Sequence, residues 1–432
     1  RRLPYVDGLV NLFVAAEPPD VPRAEIMRVL APGGAACIRR GGVWTKTVKR
    51  RPDNIDEWSH HFHDATNNVV ARDEVVGPPR HMQWQGSPRW ARHHDRMASL
   101  SGLVSAAGRL FYIIDEAPRA SIMLPPRWRL VARDAFNGTL LWKRSLESWH
   151  THYWTLKRSP ARLPRRLVAG EDRVYATLGL DAPVTALDAA TGEQVRSYDS
   201  TRPTTEFVVS EGVIFAVVDR DDGKNLHPDP SQMAPAKIGR LGRSTHWGQR
   251  PDKLVAVRAD TGQALWKTTD RIVPLTLAVS GDGVFYYDGT RVVRLNRKTG
   301  ERTWTSPKLP APSPVPVWFA PTLVVHKDTV LFSGGKNLNL SRSANNKMYA
   351  LDAADGHILW KAHHPRMSYV TPEDLLVAQD LVWTAPINKG GMSGRMTGRH
   401  YRTGKVKVQF PADDTGTHMP HHRCYRPKAT KN

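Results

Sequence analysis

Residues Asp56–Asp64 read DEWSHHFHD, which places three histidines among two aspartates, a glutamate and a tryptophan. Imidazole and carboxylate together are ligands for Zn, Cu, Fe or Ni and partners for acid–base catalysis. The chain holds 18 histidines, and many of them cluster: RHHD at Arg92–Asp95, WHTHYW at Trp149–Trp154, the pair His363–His364, and HMPHH at His418–His422. In an extended strand His61 and His63 share a face and His60 points the other way. Neither an HExxH nor a C2H2 spacing is present, so any chemistry depends on distant segments converging. The candidate metal or acid–base set is His61, His63, Asp64, His93, His94, Asp95, His150 and His152, with His421 and His422. The alternative is that these are polar loop residues hydrogen-bonded to turn backbone, and the spacing is consistent with both.

Elements able to bring such segments together are repeated along the chain. An apolar run, an Asp or Asn, a Gly-containing turn and an aromatic recur as VARDAFNGTLLWK, VTALDAATGEQVRSY, LVAVRADTGQALWK, VVRLNRKTGERTW and MYALDAADGHILWK, with a weaker copy GRHYRTGKVKVQF. The glycines are Gly138, Gly192, Gly262, Gly300, Gly356 and Gly404. An Asp or Asn side chain accepts from backbone two residues on, and Gly supplies the positive φ that closes a short hairpin. Runs such as GVFYYDG, RVYATLG and GVIFAVV have the β-branched and aromatic content of strands. Each repeat therefore predicts about three or four short antiparallel strands, and sheets of that size bury both faces when packed radially. The expected fold is all-β, a β-propeller, with a two-sheet sandwich array as the competing arrangement.

The A-x-D-x-x-T-G-x-x-x-W pattern is similar to the repeat of the quinoprotein, or PQQ-dehydrogenase-like, β-propellers, a group that includes BamB-like envelope proteins. The resemblance covers roughly residues 56–432. It implies that Trp142, Trp266, Trp304 and Trp360 dock on the Gly turn of the neighbouring blade, with Tyr198 and Phe410 substituting in the second and sixth copies. The stretches DEWSHHFHDATNN, SPRWARHHDRMAS and HHRCYRPKAT resemble planctomycete-type PQQ-binding-like repeat proteins. In those the propeller continues past this point, so the six signatures are expected to belong to seven or eight blades and the propeller to be truncated at the C-terminus. The alcohol-dehydrogenase branch uses vicinal cysteines; Cys37 and Cys424 are the only cysteines here, so PQQ is not an expected cofactor, and a divalent metal is the class the histidines would take.

Residues 1–42 differ in kind. LPYVDGLVNLFVAAEPPDVPRAEIMRVLAPGGAACI reads as strand, loop, helix, strand, with Pro-Gly-Gly as a helix stop. It resembles the C-terminal part of a class I S-adenosylmethionine-dependent methyltransferase, but the Gly-rich cofactor loop is not in this sequence, so S-adenosylmethionine binding is not supported. Residues 43–55 read as a linker. No secretory signal or apolar span is present; the chain begins without Met and reads as a piece of a longer, monomeric protein.

Composition is globular, with 40% hydrophobic and 24% charged residues. A net charge of +21 favours polyanionic partners, and the Arg-rich RLPRR at Arg162–Arg166 offers forks for carboxylate or sulfate. Nothing points specifically to nucleic acid. Asp115 and Glu116 read as a solvated loop. The functional expectations are a propeller enzyme of the cell envelope, redox or polysaccharide-acting, with the His/Asp clusters at its mouth; a non-catalytic binding or assembly scaffold of BamB-like type; or the targeting module of an upstream methyltransferase. The expected partners are acidic polysaccharide or another envelope protein, in the periplasm by resemblance.

Overall fold

A computed structural model describes residues 1–77, 82–90, 92, 99–120, 124–147, 149, 162–219, 251–309, 321–334, 347–364, 375–384, 395–411 and 428–431. The N-terminal unit is β1 (Val10–Ala15), α1 (Arg23–Val29), β2 (Leu30–Arg40) and β3 (Val43–Val48). β1 and β2 are parallel and β3 is antiparallel to β2. The helix packs Ile26 beneath Leu30 and Ala36. Two details differ from the sequence reading. The helix ends at Val29, and Pro32-Gly33-Gly34 lies inside β2, where pairing with β1 shifts register. Residues Val43–Val48 form a strand of this sheet rather than free linker.

After a short strand β4 (Val70–Ala71), six four-stranded antiparallel sheets follow among the described residues. Each is a meander: β5–β8 (Leu100–Ala106, Arg109–Asp115, Trp128–Asp134, Leu140–Ser145), β9–β12 (Leu167–Ala169, Arg173–Thr177, Val184–Asp188, Gln194–Tyr198) and β13–β16 (Thr204–Ser210, Val213–Val218, Asp252–Arg258, Ala264–Asp270). The next three are β17–β20 (Ala278–Ser280, Gly283–Tyr287, Val292–Asn296, Arg302–Thr305), β21–β24 (Thr322–His326, Thr329–Ser333, Lys347–Asp352, Ile358–His363) and β25–β28 (Leu376–Ala378, Leu381–Thr384, Arg395–His400, Val406–Pro411). A last strand, β29 (Ala429–Thr430), pairs in parallel with β4. The first strands of the first five sheets touch in succession and that of the sixth touches β4, and the main apolar clusters each span two neighbouring sheets, as Phe285 and Trp304 do with Val330 and Phe332. This is the radial packing of propeller blades.

The repeat sequence explains the outer hairpin of each blade. In the fifth copy Asp352 accepts from Ala354 N–H at 2.8 Å, and Gly356 has φ +78°. The third and fourth strands then shift register by one residue, at Ala350/Leu351, the bulge that such a left-handed residue produces. A Cβ on Gly356 would lie 2.4 Å from Cε3 of Trp304, on the preceding blade. Trp304 Nε1 donates to Ala353 O at 3.1 Å. The same bond, to the carbonyl three residues before the Gly, runs from Trp142 to Ala189, Trp266 to Arg297 and Trp360 to Tyr401. Tyr198 makes it through its hydroxyl, to Ala259 at 2.5 Å. Phe410 rests against Trp383, their rings 6.0 Å apart.

Candidate functional site

The first strand of a blade lies at the propeller axis with one edge unpaired, so alternate N–H groups face the channel and need partners. Residues 58–69 supply them in order. Trp58 O accepts from Ser105 N–H at 2.8 Å, Ser59 O from Ala169 at 2.9 Å, and His60 Nε2 from Val209 at 3.1 Å. Ala65 O accepts from Val279 at 2.8 Å and Thr66 O from Val325 at 2.9 Å. Asn68 imitates a strand with its side-chain amide, taking Val377 N–H and returning a bond to Val377 O, both at 2.9 Å. Val69 O accepts from Ala429 at 3.0 Å. The donors in the six sheets are equivalent: each lies one residue before the pair that closes the first hairpin, as in Val209↔Ile214 and Val377↔Val382. DEWSHHFHDATNN is therefore an axial hub that visits each of the six described four-stranded sheets.

The hub changes direction in a tight turn. His60 and His63 exchange backbone bonds at 3.1 Å, with His61 and Phe62 at the tip and His63 at φ 75°. The region is a turn rather than an extended strand, so His61 and His63 do not share a strand face. Because His60 Nε2 accepts, its proton sits on Nδ1, which faces Ser59 Oγ at 2.8 Å. Burial, aided by the cation of Arg165, pushes the His60 pKa down to about 3, so this ring is neutral.

His63 is the opposite case. Burial opposes its charge, but Asp64 and Asp56 outweigh it and the pKa is raised. Its Nε2 lies 2.7 Å from Asp56 Oδ2, and its Nδ1 makes an ionic contact with Asp64 at 3.4 Å. Asp64 also accepts from Thr66 N–H and Oγ1; against the cost of burial, the imidazolium and these bonds hold it at about 2. Asp56 in turn accepts from the backbone N–H groups of Arg72 and Glu57. The His63 ring stands edge-on to Trp58, 5.2 Å away.

A second buried layer comes from the RLPRR run, which forms a short 3-10 turn, Leu163–Arg166. Arg162, Arg165 and Arg166 are all buried, which corrects the expectation that this run offers an exposed polyanion groove. Arg165 Nη1 donates to Asn67 Oδ1 at 2.6 Å and Nη2 to Leu277 O at 2.5 Å; its guanidinium lies over Phe62. Asn67 Nδ2 donates to Leu277 O and Leu323 O. Glu206 lies 3.9 Å from Arg165 Nε and caps Leu275 N–H at 2.9 Å. Asp115, expected in a solvated loop, is likewise buried and pairs with Arg92 at 2.9 Å.

Of the histidine and carboxylate candidates, the structure describes His61, His63 and Asp64, all in the hub. His93, His94, Asp95, His150, His152, His421 and His422 lie outside the described residues. Among the described residues, no three His, Cys, Asp or Glu side chains form a set able to hold a metal ion. Sequence reasoning passed over the roles of Asn67 and Asn68, whose partners are remote in the chain. It also passed over Trp84, which donates to Ala135 O at 3.1 Å and covers Gly138. That is the blade-docking contact, supplied here by a Trp whose sequence has no Gly four residues before it.

The family model described as outer membrane protein assembly factor BamB matches residues 242–363, the span of the third to fifth repeats. The outer membrane protein assembly factor BamB of Burkholderia pseudomallei (strain K96243) is 29% identical over 242 residues. That match takes in 50% of this chain and 60% of the relative, so the chain spans less than two thirds of that protein. Among solved structures, BamB from Moraxella catarrhalis aligns over 72% of this chain and 77% of its own, with 12% identity and a TM-score of 0.41. The quinohemoprotein alcohol dehydrogenase of Comamonas testosteroni aligns over 82% and 67%, with 10% identity and a TM-score of 0.45. The chain thus resembles the BamB-like, PQQ-repeat β-propellers.

Proposed function

We propose that the chain is a non-catalytic binding or assembly scaffold of the cell envelope, built on a BamB-like propeller. The observation that carries this reading is the occupied axis. Where a propeller enzyme gathers open ligands or acid–base groups, His60 and His63 are committed to holding blades and turns: one accepts from Val209, the other lies between Asp56 and Asp64. Residues consumed in this way bind the ring together and leave the outer surfaces for partners. The sequence match to an outer membrane protein assembly factor supports another envelope protein as the partner class and the periplasmic side of the envelope as the compartment. Among the described residues no helix is long and apolar enough to cross a membrane.

A second reading is favoured by the N-terminal sheet. Its β1–α1–β2 crossover is covered on one side, while Leu12, Val14, Trp44 and Val48 are exposed. Parallel sheets are ordinarily buried on both faces. This is the arrangement expected of a methyltransferase-like remnant of the planctomycete-type proteins, with the propeller as its targeting module.

The test pairs metal analysis with partner capture. The scaffold reading expects no tightly held Zn, Cu, Fe or Ni and a saturable envelope-protein partner retained by a His94→Ala variant. One tightly bound metal per chain, lost in His94→Ala and in His63→Gln, would restore the enzyme reading with His61, His63, Asp64, His93, His94, Asp95, His150 and His152 as its site.

A further inference from the structure

Beside the hub a cavity of about 470 Å³ opens between the fourth, fifth and sixth blades and β29, within the ~300–1,000 Å³ range of small-molecule sites. Its apolar wall is Val70, Val325, Val377 and Ala378. Also lining it are Arg72 from the hub, Lys327 and Asp380 from two inner hairpin turns, and Lys431 after β29. Each cation meets one carboxylate: Arg72 with Asp64 at 3.0 Å, Lys327 with Asp380 at 2.8 Å, Lys431 with Glu74 at 3.2 Å. The three side chains are 72%, 55% and 51% exposed, and an ammonium carries three donors, so each keeps donors for a ligand. Asp380 is held by His326 Nε2 at 2.9 Å as well as by Lys327, and a carboxylate has about four acceptor sites. Lys327 is steadied over the Tyr401 ring, 5.5 Å from its centre.

The lining therefore offers cationic donors, a carboxylate acceptor, the Gln379 amide and an aliphatic face together. Sulfate only accepts and would confront Asp380. A neutral sugar leaves the cations unused. A hydroxylated carboxylate answers all of them, and the chain's +21 charge draws it in. We infer that this cavity binds an acidic sugar unit, its carboxylate toward Lys327, Lys431 and Arg72, its hydroxyls on Asp380 and Gln379, and its C–H face on Val325 and Val377. The site is independent of the scaffold reading and can stand or fall without it.

The test is calorimetric titration of the full chain with oligogalacturonate and oligoglucuronate, against a neutral glucose oligomer and sulfate at matched ionic strength. At least one uronate is expected to bind saturably, about tenfold or more tighter than the neutral oligomer and with little competition from sulfate. A Lys327→Gln/Lys431→Gln double variant is expected to bind about tenfold or more weakly, while Lys267→Gln, on the outer strand of the third blade, leaves affinity unchanged. The inference is overturned by no saturable uronate binding, by equal binding of the neutral oligomer, by sulfate competing as well as uronate, or by a folded double variant with unchanged affinity. The wild-type titration alone decides the matter if the double variant does not fold.

Discussion

Acidification should attack the hub at His60. The folded pKa is about 3 against an ordinary 6.5, because the ring is buried and because a proton on Nε2 would face the Val209 N–H that now donates to it. The folded state therefore resists a proton that the unfolded chain accepts. The stability this represents is complete above the unfolded pKa and is lost as pH falls through the window from 6.5 towards 3. At ~1.36 kcal/mol per pKa unit, the full loss is on the order of 5 kcal/mol, and going from about pH 8 to about pH 4.5 costs about 3 kcal/mol. His60→Gln removes the titration, and the Gln carbonyl can still accept from Val209. Urea unfolding followed by Trp fluorescence at the two pH values measures both chains. The variant is expected to lose about 3 kcal/mol less than wild type on acidification, whatever its stability at neutral pH. Parallel pH profiles would refute the placement of a neutral His60 at the axis.

Other perturbations probe the blade contacts and the buried layer. Trp304→Phe removes the bond to Ala353 and is expected to lower stability by about 1–2 kcal/mol in urea. Gly356→Ala, which must keep φ +78° and displace Trp304, should cost about 1–3 kcal/mol from crowding and about 1 more from the backbone. Asn67→Leu strands Leu323 O and an Arg165 donor, and leaves Leu277 O with Arg165 Nη2 alone. At about 1–3 kcal/mol for each buried group left unpaired, it should be the most damaging of these single changes, read as the lowest urea midpoint.

The blades were legible because their signals are local. An Asp, a Gly at positive φ and a Trp four residues later act within one hairpin and the next blade, so the fifth repeat reads directly from MYALDAADGHILWK. Trp84 was not legible, since it docks on Gly138 although no Gly stands four residues before it in the sequence. The path of the hub across the blades was not legible for a related reason. Its partners, from Ser105 to Ala429, lie dozens to hundreds of residues away, and no periodicity marks a segment whose successive residues each meet a different blade. Arg165 was read as surface because Arg is seldom buried unless paired; its partners Asn67 and Leu277 emerge only when the ring forms.

The most direct test of the axial hub is amide hydrogen exchange at Ser105, Ala169, Val209, Val279, Val325, Val377 and Ala429. All seven lie on strand edges that face the channel, where a water-filled axis would leave them unprotected. The hub account predicts that the amides are protected together in the native chain and that Asn67→Leu releases them as a set. Rapid exchange at these amides in the native protein, beside slow exchange in the second strands of the same blades, would contradict it.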